Sequence, residues 1–182
     1  MTAKDIIEIG KRMYDKNYIV AHDGNISVLA DNIVYITPTN ISKGFMTEDQ
    51  IVEMTLDGQV LNSAIPSSEY KMHLAVYNNN KNVHAVVHSH PLYATTFACM
   101  GKPLKSDILA EAMYQLGDIP IAKYEVPGSE EAAESVIPYC NDYNGILLEK
   151  HGLITWGFNL LDAYYKTEIA EFLAKITYNI GG

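Results

Sequence analysis

The apolar residues of this 182-residue chain change period repeatedly, yet they never settle into the strand–helix–strand alternation that builds a parallel sheet. Ile6, Ile9, Met13 and Tyr14 recur at helical spacing and predict an amphipathic helix over 3–16. Short β-rich runs follow at 18–20, 26–29 and 33–36, separated by Asp, Gly and Asn. Residues 51–56 and 59–61 flank Asp57-Gly58, a pattern that predicts a hairpin with a type I′ turn. Pro66-Ser67-Ser68 should open a helix to about Asn78, followed by a strand over 83–88 and a helix from Pro91 to Met100. Helices are expected over 107–116 and 129–140, and strands over 119–124, 146–148 and 153–156. Asn159 should cap a long last helix reaching about Tyr178. This mixture predicts a largely antiparallel sheet with helices packed against it. No Pro/Gly/Ser-rich linker divides the chain, so 1–182 reads as one domain.

Charge narrows the partners. Thirteen basic against 22 acidic side chains leave a net charge of −9, and Arg12 is the sole arginine. A basic stripe for phosphodiester backbones is missing, so nucleic acid is not an expected partner. A local nest of N–H groups could still hold a small anion. Cys99 and Cys140 form neither a disulfide framework nor a metal knuckle and read as reduced thiols. The first residues are charged throughout, with no apolar signal core, and no run approaches the roughly 18 apolar residues of a membrane span. A cytoplasmic protein with no membrane partner is expected.

The sharpest local feature is Val86-Val87-His88-Ser89-His90-Pro91. Side chains alternate along a strand, so His88 and His90 leave the same face with Cα atoms about 6.6 Å apart. Two imidazoles so spaced can share one cation, or can simply be two polar residues at a strand end. His84 has the same parity but lies about 13 Å back, outside the same ligand set. His151 stands before Gly152 between two strand runs, as a turn residue or as a third nitrogen. Three neutral imidazoles with one open position would be the pattern of a catalytic zinc.

Pro66-Ser67-Ser68-Glu69 combines hydroxyls with the free N–H groups of a helix start, which suits a phosphate as well as plain N-capping. Glu69 also fits an ordinary first-turn acid. His73, one turn later on the same face, is expected to pack or to support the site rather than to act as a fourth imidazole ligand. Gly24-Asn25-Ile26-Ser27 and Thr37-Pro38-Thr39-Asn40-Ile41-Ser42-Lys43-Gly44 add an amide, hydroxyls, backbone donors and a lysine, the inventory needed for a phosphorylated polyol.

Together these stretches resemble the class II aldolase/adducin family, most nearly its fuculose-phosphate aldolase branch, from about Asp23 to Ala174. The markers are Gly24-Asn25-Ile26-Ser27, Thr37-Pro38-Thr39-Asn40, Pro66-Ser67-Ser68-Glu69, His88-Ser89-His90 and Lys150-His151-Gly152, in that order. The resemblance implies a three-layer α/β/α fold with a mainly antiparallel central sheet, and a homotetramer with interface active sites. It implies one Zn²⁺ per subunit on His88, His90 and His151, with Glu69 near or on the metal and acting as general acid/base. It implies that Asn25, Thr39, Asn40, Ser67 and Ser68 hold the substrate phosphate. The implied reaction is reversible retro-aldol cleavage of a ketose 1-phosphate to dihydroxyacetone phosphate and an aldehyde.

Two positions depart from that branch. Its phosphate loop usually has Gly where this chain has Asn40, and the tyrosine supplied by a neighbouring subunit falls at Leu109, with Tyr114 nearby. That branch takes a further tyrosine from a C-terminal tail, and with the sequence stopping at Gly182 no such contribution is expected. Other members offer alternatives: a methylthioribulose-1-phosphate dehydratase, a phospho-sugar-acid decarboxylase, a ribulose-phosphate epimerase, or the metal-free interaction module of adducin heads.

Overall fold

The computed structural model describes residues 3–181. Strands β1 (Asn25–Ala30), β2 (Ile33–Ile36), β3 (Val52–Thr55), β4 (Ala85–Ser89), β5 (Ile121–Ala122), β6 (Gly145–Leu148) and β7 (Gly152–Gly157) form one sheet in the order β3-β2-β1-β4-β7-β6-β5. Neighbours run antiparallel except β5 and β6, which are parallel. The sheet is therefore mixed and mostly antiparallel, as expected.

Helices lie on both faces. Helix α2 (Tyr70–Asn79) and α5 (Glu130–Val136) cover one face, over Val34, Ile36, Val86, Ile154 and Trp156. On the other, α1 (Ala3–Asp15), α3 (Leu92–Met100), α4 (Ala110–Gln115) and α6 (Leu160–Asn179) cover Ile26, Val28, Ala85, Val87, Leu147 and Leu153. Each fully buried aliphatic side chain in these layers contributes roughly 1.5–3 kcal/mol. The alternation along β4 is what aims the chemistry. Val87 faces α6, so Val86 and His88 face α2.

Several local expectations need correction. The run 18–20 is not a strand, because Asn17 and Ala21 on either side take left-handed backbone, φ 57° and 49°. Ile19 is instead a buried plug, and Tyr18 O accepts the His90 N–H at 2.8 Å. At Asp57-Gly58 only Gly58 has positive φ, and Gly58 N donates to Thr55 O while Thr55 N donates to Gln59 O. That is a three-residue hairpin loop rather than a type I′ turn. The strand expected over 119–124 shortens to Ile121–Ala122. Helix α3 begins after Pro91 without a side-chain cap of its own, and Glu171 from α6 takes that role by accepting from Tyr93 N and Ala94 N.

Among the described residues no helix is long and apolar enough to cross a membrane.

Candidate metal centre and its anion pocket

His88 and His90 leave the end of β4 together, and the turn between β6 and β7 brings His151 over them. Lys150 makes that turn with φ 57°. The three Nε2 atoms converge: His88 to His90 is 3.2 Å and His88 to His151 is 3.3 Å. Nitrogens bound about 2.0–2.1 Å from one zinc ion at tetrahedral angles stand about 3.3 Å apart. Proton placement agrees with that spacing. His88 Nδ1 faces Leu153 O at 3.0 Å and must donate to it. Burial and the neighbouring imidazoles hold His88 neutral, its pKa well below the ordinary value, so its Nε2 presents a lone pair. Burial, with help from His151 and against the pull of Asp23, likewise lowers His90 to about 4.

Glu69 closes the group. Its Oε2 is 3.4 Å from His88 Nε2 and its Oε1 is 3.3 Å from His151 Nε2. The residue is 8% exposed, yet Oε1 makes no hydrogen bond. A buried carboxylate oxygen without a donor, facing three imidazole nitrogens, is the environment a divalent cation would satisfy. His88, His90 and His151 thus form a set that could bind a metal.

A cavity of about 260 Å³ opens beside the group, and Asn25, Thr39, Asn40, Ser67 and Ser68 all line it with Glu69, His90 and His151. Backbone bonds join its two polar segments: Ser67 N donates to Thr37 O, Thr39 N donates to Ile65 O, and Pro38 bridges Pro66. Asn40 has φ 56°, a conformation that Gly and Asn both adopt, which explains how one can stand for the other here. Glu69, not a serine, is the residue flanking the start of α2, and Ser67 Oγ accepts from Glu69 N at 3.4 Å.

The lysine of this inventory serves a different purpose. Lys43 Nζ donates to His22 O, Ile41 O and Pro38 O at 2.6, 3.0 and 3.4 Å, tying two loops of the cavity wall together. Burial lowers its pKa to about 8, while Asp23 and Glu69 pull the other way.

Gly152, the residue after His151, makes a close approach. Its backbone is ordinary, but a Cβ would stand 2.6 Å from Ser89 O and nearer still to the His90 ring. His22, Asp23 and Pro127 line the cavity without having been singled out in the sequence. Asp23, adjacent to Gly24-Asn25, approaches His90 Nδ1 to 3.8 Å. Pro127 comes from the loop after β5, where Gly128 at φ 80° packs against Ser68 O, and the Pro-Gly pair was the available signal. His84 is exposed and apart, as its distance along the strand required.

Comparison with known proteins gives a consistent result. Residues 4–178 match the family described as Class II Aldolase and Adducin N-terminal domain. An L-fuculose phosphate aldolase from Methanococcus maripaludis is 38% identical over 178 residues, 98% of this chain and 97% of that protein. A 3-oxo-tetronate 4-phosphate decarboxylase from Haemophilus influenzae is 31% identical over 97% of this chain and 87% of its own length. A solved L-fuculose 1-phosphate aldolase superposes with a TM-score of 0.93 at 30% identity, covering all of this chain and 88% of that one.

Proposed function

Because the chain belongs to the class II aldolase and adducin family, we propose that it is a zinc-dependent lyase that cleaves a ketose 1-phosphate reversibly to dihydroxyacetone phosphate and an aldehyde. The observation that carries this reading is the convergence of three imidazole nitrogens and one carboxylate at the wall of a cavity lined by hydroxyls and amides. A zinc ion on His88, His90 and His151 would supply Lewis-acid polarisation of the substrate carbonyl and offset the negative charge that develops when the carbon–carbon bond breaks.

The chain's own groups do the rest. Thr39, Asn40, Ser67, Ser68 and a side-chain N–H of Asn25 surround the phosphate and fix the sugar's register. As the C3–C4 bond breaks, the C4 hydroxyl becomes the aldehyde and gives up its proton. Glu69 Oε1, the oxygen without a hydrogen bond, takes up one proton in exchange and delivers it to C3 of the enediolate, and the two transfers reverse in the synthetic direction. This reading takes 1–182 as one catalytic domain and places the site in a homotetramer of the cytoplasm. Leu109 is packed among α3, α4 and α6, whereas Tyr114 is 88% exposed and offers its phenol to a neighbouring subunit.

The decarboxylase relative supports a second reading. Loss of carbon dioxide from a 3-oxo acid phosphate leaves the same kind of enediolate, so only the leaving group differs. The test incubates the zinc-loaded protein with fuculose 1-phosphate, ribulose 1-phosphate, methylthioribulose 1-phosphate and 3-oxo-tetronate 4-phosphate. Dihydroxyacetone phosphate with an aldehyde supports the aldolase. Carbon dioxide from the oxo acid alone supports the decarboxylase, and a dehydrated diketone from the thio sugar rejects both.

A further inference from the structure

Helix α2 and the turn before it place Glu69, His73 and Tyr77 four residues apart, on one row facing the sheet. Opposite them β1 presents Asn25 and Ser27, two residues apart, while Ile26 and Val28 face away. Four helical residues rise about 6 Å and two strand residues about 6.6 Å, so the two rows stay in step. The result is a buried chain of hydrogen bonds. Tyr77 Oη and Ser27 Oγ are 2.6 Å apart, and Ser27 Oγ and His73 Nδ1 are 2.6 Å apart. His73 Nε2 and Asn25 Oδ1 are 2.6 Å apart, and Asn25 Nδ2 donates to Glu69 Oε2 at 2.9 Å. Asn25, Ser27, His73 and Tyr77 are each at most 2% exposed.

Chemistry fixes the direction of every link. Glu69 as a carboxylate can only accept, so the amide nitrogen of Asn25 faces it and the amide oxygen faces His73. An amide oxygen can only accept, so His73 carries its proton on Nε2. Burial keeps that ring neutral, with its pKa lowered to about 3. Nδ1 must then accept from Ser27, and the Ser27 oxygen accepts from Tyr77. A ring in the other tautomer would face Asn25 Oδ1 with a lone pair and break the chain at its centre.

We propose that His73 is a positioning residue for Glu69: acting through Asn25, it locks one amide N–H onto Oε2 and so leaves Oε1 as the oxygen free to exchange a proton. This rests on the reading of Glu69 as the proton carrier, but the hydrogen-bond chain can be tested without any reaction. Asn25 was read from the sequence as a phosphate contact. In this arrangement its oxygen and one N–H are committed, and one N–H is left for the cavity.

The test compares His73→Gln with His73→Asn. A glutamine can place its terminal N–H near the former Nε2 and keep the bond to Asn25. The shorter asparagine reaches only toward Ser27 and loses it. In metal-free protein labelled with ¹⁵N, His73 should be neutral and protonated on Nε2 at pH 7. The Asn25 side-chain amide should show one slowly exchanging proton, the one donated to Glu69 Oε2, in wild type and His73→Gln, but not in His73→Asn. With the zinc-loaded enzyme, His73→Asn should lower kcat about tenfold or more with little change in KM or zinc content, while His73→Gln stays within about threefold of wild type. Thermal melts of both variants separate this from loss of fold.

A His73 found protonated, or carrying its proton on Nδ1, overturns the proposal whatever the activity. So do equal kcat values in the two variants. If wild type turns over none of the sugar phosphates, the catalytic reading fails on its own, and the Asn25 signals still decide whether His73 holds the amide.

Discussion

Gly152 passes so close to His90 that no side chain fits between them: a Cβ would meet Ser89 O at 2.6 Å and press into the imidazole. The position needs glycine for this approach rather than for its backbone angles. Gly152→Ala should therefore push the His90 ring away from His88 and His151. Zinc affinity, measured by competition with a chromogenic chelator, should fall about tenfold to a hundredfold, with a loss of about 1–3 kcal/mol in stability. Unchanged affinity would mean that β7 can shift without moving His90.

Metal-free protein should lose stability in acid. Burial lowers His73 to about 3 and His90 to about 4, whereas both titrate near 6.5 in the unfolded chain. Between those values the unfolded state binds more protons than the folded one. The stability is full above pH 6.5 and drains as pH falls toward 4 and then 3, by about 1.4 kcal/mol per pH unit for each group at most. Urea unfolding from pH 7 to 4.5 should show this fall, and His73→Gln should make it shallower by one proton. A flat profile in wild type would contradict the buried, neutral state of both rings.

Lys43 gives the opposite test at high pH. Burial pushes its pKa down to about 8 in the fold, against 10.5 unfolded. The unfolded chain keeps the proton longer, so stability rises with pH between about 8 and 10.5. Lys43→Met leaves three carbonyls without their donor and should destabilise by about 1–3 kcal/mol at pH 7. Because the variant lacks the titrating group, the gap between the two proteins should widen from pH 8 to 10. A constant gap would mean the ammonium is solvated, and a gap that narrows would mean the three carbonyls hold its proton more tightly than water does.

Much of this could be read along the chain, and what could not has a common cause. His88 and His90 share a face because strand parity is a local property, and Asn159 caps α6 by accepting from Asp162 N for the same reason. The five polar stretches were visible as stretches, and one cavity gathers their residues. The failures are tertiary. Residues 18–20 have strand composition, but left-handed residues at 17 and 21 and burial of Ile19 turn the run into a plug. Asn25 and His73 are 48 residues apart, so the bond between them is set by how α2 lies on β1. Glu171 caps α3 by accepting from Tyr93 N, 78 residues earlier, and no local pattern announces it.

Glu69 carries the strongest demand on the mechanism, and an isosteric change isolates it. Glu69→Gln preserves shape, and its amide oxygen can still accept from Asn25 Nδ2, so the fold should be retained with a melt near that of wild type. The three imidazoles are untouched, so zinc content by metal analysis should stay close to one per chain. What disappears is a group able to take up and release a proton beside the imidazoles. Turnover should drop by about a hundredfold or more, the scale of general acid–base catalysis. The exchange of a C3 proton of dihydroxyacetone phosphate with deuterated water should drop with it, since that step needs the carboxylate but no aldehyde. If exchange survives in a variant that still binds zinc, the proton travels through another group, and Oε1 of Glu69 is a metal contact rather than the proton carrier.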